Sequence, residues 1–80
     1  MHAESIKSII RRVKRYDDVE IGPETRLTGD LRFDSMDVMD LVLTLEQQFD
    51  FTFRDEDLDL EQLDVFGHLL TTVSSYVDAK

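Results

Sequence analysis

The order of apolar and polar positions predicts helices. Ile6, Ile9, Ile10 and Val13 follow the i, i+3, i+4, i+7 spacing of one helix face, surrounded by Lys7, Arg11, Arg12, Lys14 and Arg15. They predict a first helix over 3–15 whose bases gather near its C-terminal end, where the helix dipole favours them. Val38, Leu41, Val42, Leu45 and Phe49 repeat the spacing and predict a second helix over 35–49. Asp34 is a good N-cap for it, and Asp37 sits where a capping box places its second carboxylate, although Glu or Gln is usual there. A last helix is predicted over 65–78, with Asp64 as its cap and Val65, Leu69, Leu70, Val73 and Val77 facing the core. A short third helix is predicted near 56–61, capped by Asp55.

The segments between these helices are less regular. Residues 16–34 form a long connection broken by Gly22, Pro23 and Gly29, with Val19, Ile21, Leu27 and Leu31 available to pin it across the helices. Phe49-Asp50-Phe51-Thr52-Phe53 alternates like a strand, but a lone strand has nothing to pair with, so it reads as an extended connector with inward aromatics. The fold class is therefore all-α: a small four-helix bundle with one short third helix and a long loop between helices one and two, as a single domain over 1–80.

The second helix has one apolar stripe too many. Besides the core stripe, Met36, Met39 and Leu43 recur on a different face at near-helical spacing. A surface helix in a chain of 80 residues needs one stripe for its core, so the second suits a partner.

Composition narrows the chemistry. With 41% apolar and 34% charged residues and no cysteine, the chain must be stabilised by packed helices, without disulfides or thiolate metal ligands. No signal-peptide core or transmembrane-length run is present, so a cytoplasmic protein without membrane insertion is expected. The net charge of −9 is unevenly placed: residues 34–64 hold eleven acids and one base, Arg54, while the rest is nearly neutral. Such a surface disfavours nucleic acid and attracts partners with basic patches. The basic run Arg11–Arg15 reads as a solvated helix face. Residues 55–61 are rich in carboxylates but lack the glycine and ligand spacing of a calcium loop, so no dedicated metal site is expected.

Ser35 stands at the start of the second helix, where free backbone N–H groups and the positive end of the dipole stabilise an anion such as a phosphate. Asp34 and Asp37 oppose this by like-charge repulsion, and serine also commonly begins helices for purely structural reasons. Catalysis by Ser35 would need a base, and the two histidines, His2 at the terminus and His68 on the last helix, make only a paper triad.

Residues 29–50, Gly-Asp-Leu-Arg-Phe-Asp-Ser-Met-Asp-Val-Met-Asp-Leu-Val-Leu-Thr-Leu-Glu-Gln-Gln-Phe-Asp, resemble the acyl carrier proteins around their prosthetic-group serine. The similarity spans nearly the whole chain, from the Ile-rich first helix to a Val-initiated last helix, and its length matches a free-standing carrier. The resemblance implies a non-catalytic carrier in which Ser35 receives 4′-phosphopantetheine from coenzyme A through a separate phosphopantetheinyl transferase. The thiol of that arm holds acyl groups as thioesters, which explains thiol chemistry in a chain without cysteine. It also implies a cleft between helices that shelters the acyl chain. Acyl-loading and acyl-processing enzymes with basic patches would dock on Asp34, Met36, Asp37, Met39, Asp40, Leu43 and Glu46 of a monomeric carrier. That set includes the second stripe already found by spacing.

Some residues depart from the family pattern. Arg32 and Phe33 replace a usual glycine and small residue, placing a cation and an aromatic ring where they could contact the phosphate or exclude some partners. Gln47 and Gln48 replace acids, Arg54 replaces a proline, and Phe51 and Phe53 make the cleft region more aromatic. These departures favour a dedicated carrier in a specialised pathway, and the Asp-Ser-Met-Asp context favours fatty or polyketide cargo over aminoacyl cargo. The competing reading is a helical acidic interaction module without a prosthetic group, in which Ser35 only starts a helix.

Overall fold

Three long helices and one short one surround the core in a computed structural model that describes residues 2–15 and 19–79. They are α1 (Ala3–Lys14), α2 (Ser35–Phe49), α3 (Leu60–Leu63) and α4 (Phe66–Asp78), with a single 3₁₀ turn at Asp55–Asp57 before α3. The all-α expectation holds, and among the described residues there is no strand, only one isolated antiparallel bridge between Arg26 and Val65. Residues 16–18, which open the expected long connection, lie outside the described residues.

The two amphipathic stripes explain the packing of α1 on α2. Ile6, Ile9 and Ile10 from α1 and Val38, Leu41, Val42 and Leu45 from α2 are all buried in one cluster, which Leu69 and Val73 of α4 complete. Both helices stop in a left-handed residue. Arg15 (φ 58°) returns its N–H to the Arg11 and Arg12 carbonyls, and Asp50 (φ 56°) returns its N–H to that of Glu46. The expected extended connector follows: Phe53 is buried, and Phe51 and Phe53 pack with Tyr76 of α4, the Phe51 ring stacked at 5.0 Å. The Tyr76 hydroxyl donates to Asp57 and accepts from the Arg54 amide at 2.9 Å, fixing the 3₁₀ turn to α4. Burial, then the Asp57 bond, pushes the Tyr76 hydroxyl above its ordinary pKa.

The third helix is not where the carboxylates suggested. Residues 55–57 make only a 3₁₀ turn, and α3 begins after Asp59, whose carboxylate accepts the Glu61 amide at 3.0 Å; Asp59 rather than Asp55 caps it. The later start places Leu63 in the core.

The cap of α4 also differs from expectation. Val65 occupies the N-cap without a side-chain bond, and the first amides of α4 donate to the long loop instead: Phe66 to the Thr25 carbonyl at 2.8 Å and Gly67 to that of Pro23 at 2.9 Å. Asp64 is turned inward, 5% exposed, with its carboxylate accepting the Thr28 amide (2.7 Å), the Thr28 hydroxyl (2.8 Å) and Arg26 Nε (3.0 Å). Segment 23–28 is thus a strap laid across the start of α4. Gly67 is required by it, because a Cβ there would lie 2.8 Å from the Pro23 carbonyl oxygen. Gly67→Ala is therefore expected to destabilise the protein by about 1–3 kcal/mol, as overpacking against backbone does, and thermal melting followed by circular dichroism measures it. An unchanged melting temperature would show that the strap yields freely.

Candidate functional site

The strap leads directly into the turn that presents Ser35. Leu27, Leu31 and Phe33 are buried, and the Phe33 amide donates to the Leu27 carbonyl at 2.8 Å. Arg32, between two buried side chains, is held at φ 60° in the left-handed region, a conformation that costs a residue with a Cβ roughly 1 kcal/mol and that glycine adopts freely. Its side chain is exposed, as expected of a cation beside the site. Phe33 corrects the sequence reading: its ring fills the core at 3% exposure and cannot reach a group on Ser35.

Asp34 then caps α2. Its Oδ1 accepts the Asp37 amide at 2.9 Å, and Asp37 Oδ2 accepts the Asp34 amide at 3.0 Å, a complete capping box built from two aspartates. The Asp34 amide, ahead of Lys14, holds the Asp37 carboxyl below its ordinary pKa, against the opposing push of desolvation. Ser35 is the first residue inside the helix, exposed, and its hydroxyl makes no hydrogen bond among the described residues. Helix geometry leaves the first-turn amides of Ser35 and Met36 without an intrahelical acceptor. Capping is thus done by Asp34, which leaves the Ser35 hydroxyl unengaged among the described residues. An exposed hydroxyl with open amides beside it suits a covalently attached phosphate ester.

The other site residues follow the helical phase. Met36, Met39 and Leu43 are 75, 50 and 52% exposed, forming the second stripe on the outer side of α2. Asp40 is exposed between them, while Glu46 is half-buried, with Oε2 accepting the Phe53 amide at 2.8 Å. The histidines are elsewhere: His2 pairs with Asp78 at 2.8 Å, and His68 is exposed on α4. Neither bonds to Ser35, and among the described residues no group of three or more His, Cys, Asp or Glu side chains is arranged to hold a metal. Sequence reading missed Lys14, which reaches from α1 to Asp37 Oδ2 at 3.1 Å; the only hint was the cluster of bases at the end of the first helix.

Residues 4–72 match the family model described as a phosphopantetheine attachment site. The chain belongs to the acyl carrier protein family. It is 32% identical over 72 residues to the acyl carrier protein of Chlamydia caviae, covering 90% of this chain and 91% of that one. It is 40% identical over 55 residues to the acyl carrier protein of Coprothermobacter proteolyticus, covering 69% of this chain and 67% of that one. A solved structure from Mycobacterium tuberculosis, described as an acyl carrier protein, superposes with a TM-score of 0.83 at 29% identity, covering 94% of this chain and 97% of that one. Acyl carrier proteins are non-catalytic: they carry a covalent 4′-phosphopantetheine, received from a phosphopantetheinyl transferase, and deliver its cargo to biosynthetic enzymes. The terminal thiol of the arm supplies the thioester chemistry that a cysteine-free chain lacks. No helix among the described residues is long and apolar enough to cross a membrane.

Proposed function

We propose that Ser35 carries the 4′-phosphopantetheine arm, and that partner enzymes dock on the outer face of α2 through Met36, Met39 and Leu43, with Asp34, Asp37, Asp40 and Glu46 supplying its acidic character. The observation that carries the reading is the Ser35 hydroxyl: exposed, without a hydrogen-bond partner among the described residues, and set at the first position of a helix already capped by Asp34. Its freedom leaves the oxygen available to form the ester, and the capping box fixes the direction in which the arm leaves. The exposed apolar stripe meets the apolar part of a partner's docking patch, and the surrounding acids meet its bases. The carrier is proposed to act as a cytoplasmic monomer, because a second copy seated on the stripe would block its partners. Its proposed cargo is a fatty acyl or polyketide group, and its partners the enzymes that load and process such groups.

The test is intact mass after incubation with coenzyme A, Mg²⁺ and a broad-specificity phosphopantetheinyl transferase, followed by peptide mapping. One phosphopantetheine unit on Ser35 is the expected result. An addition at another residue, or none in a folded chain, would overturn the assignment. Met39→Glu is expected to raise the transferase KM for the carrier roughly tenfold, as loss of an interface anchor does. Because Met39 is 50% exposed, the melting temperature should hardly move. A large fall in stability with unchanged KM would instead make Met39 a packing residue.

A further inference from the structure

Three of the four carboxylates on the proposed docking face are already engaged inside the molecule. Asp34 Oδ1 holds the Asp37 amide at 2.9 Å, and Glu46 Oε2 holds the Phe53 amide at 2.8 Å. Asp37 is the most committed: one oxygen, Oδ2, takes both the Asp34 amide at 3.0 Å and the Lys14 ammonium at 3.1 Å. Only the Asp40 carboxylate has neither a hydrogen bond nor an ion pair among the described residues. A backbone amide leaves a carboxylate its charge, whereas an ammonium at 3.1 Å offsets it. Lys14 therefore differs in kind from the other two contacts. It also comes from the last turn of α1, and among the described residues it is the cation of α1 that forms an ion pair with an acid of α2.

We propose that Lys14 is a specificity-determining residue of this carrier: it competes from within the molecule with a partner enzyme's bases for the Asp37 carboxylate. A partner base approaching Asp37 meets Lys14 already there, and must either displace it or tolerate a like charge alongside. Partners that rely on the apolar stripe and Asp40 are spared this competition, and partners that need a cation on Asp37 are penalised. Removing Lys14 frees the Asp37 charge without moving it, because the Asp34 amide still holds the carboxylate in the capping box. The inference rests on the proposed docking face.

The experiment measures transferase KM and kcat with coenzyme A and Mg²⁺ for the native chain and for Lys14→Gln, Lys14→Arg, Arg12→Gln and Met39→Glu. Arg12 is exposed on the same helix, shares a groove with Asp40 and Leu43 and has no ion pair among the described residues, so Arg12→Gln makes the same change in net charge beside the docking face without removing a partner of Asp37. Lys14→Gln is expected to lower KM about two- to fivefold, the scale of one exposed ion pair, with kcat unchanged and a steeper rise of KM with salt. Lys14→Arg should keep the native KM, and Arg12→Gln should fall well short of Lys14→Gln. Titration of the Asp37 carboxyl by NMR should move upward in Lys14→Gln, a local readout that net charge alone would not produce. Lys14→Met, which keeps the aliphatic stem, repeats the test should the glutamine variant lose helix content. If Met39→Glu raises KM while Lys14→Gln leaves it unchanged, raises it, or merely matches Arg12→Gln, the role of Lys14 is overturned and the docking face stands. If Met39→Glu itself leaves KM unchanged, the docking face fails and the role of Lys14 fails with it.

Discussion

Ser35→Ala is expected to abolish addition of the phosphopantetheine unit completely, while shifting the melting temperature by no more than a few degrees. The two halves of this expectation come from different atoms. The ester needs an oxygen at position 35, and alanine has none. The fold needs a cap at position 34, and the Asp34 carboxylate bonded to the Asp37 amide at 2.9 Å provides it. Ser35 lies one residue inside the helix with an exposed side chain, where alanine is the better helix former, so the stability change should stay within about 0.5 kcal/mol. Asp34→Ala gives the opposite pattern: the oxygen stays, and the loss of a cap costs about 1 kcal/mol. Intact mass and thermal melting of the two variants separate the roles. Loading that persists in Ser35→Ala would move the attachment elsewhere.

The largest stability effect is expected at Asp64. Asp64→Ala removes the acceptor of the Thr28 amide at 2.7 Å, of the Thr28 hydroxyl at 2.8 Å and of Arg26 Nε at 3.0 Å, all around a side chain only 5% exposed. Arg26 is largely exposed and regains water, so the penalty falls on Thr28, and the expected cost is about 2–3 kcal/mol. For a chain of this size each kcal/mol lowers the melting temperature by about 4–8 °C. Acid should show the same linkage. Burial pushes the Asp64 carboxyl up, but the Thr28 bonds and Arg26 together outweigh it and hold the group below its ordinary value near 3.8. A carboxyl depressed in the folded state stabilises fully above its unfolded value, and that contribution disappears as pH falls through the folded one. The native chain should therefore lose stability more steeply than Asp64→Ala below about pH 4, the two melting curves converging in acid. Curves that stay parallel would assign the stability of the strap to its backbone bonds.

The parts of this structure legible in the sequence are those set by neighbours along the chain. The boundaries of α2 follow from Asp34, Asp37 and the spacing of Val38, Leu41, Val42 and Leu45, all within one or two turns of one another. The exposed Met36, Met39 and Leu43 stripe follows from the same helical phase. What was misread depends on remote partners. Asp64 has the composition of a helix cap, but its donors lie 36 and 38 residues away, and the amides it was expected to cap are taken by loop carbonyls. Asp55 and Asp59 are equally good caps by type, and the burial of Leu63 decides between them. Phe33 looked like part of the site because it is two residues from Ser35, yet a left-handed Arg32 turns it into the core. Around Ser35, the helix start and its Asp34–Asp37 cap were readable, but the engagement of Asp37 by Lys14 and of Glu46 by Phe53 was not.

The strap also has a consequence for the order in which the molecule assembles. α1 and α2 are built from local turns, whereas Thr28 and Asp64 meet only by closing a loop of 36 residues, a step whose entropic cost is met before its contacts repay it. The turn that aims Ser35 hangs from this closure, through Leu27 and the amide of Phe33. Until the two ends meet, the chain lacks this frame around the first residue of α2, so the way Ser35 is presented depends on a contact made far away along the chain.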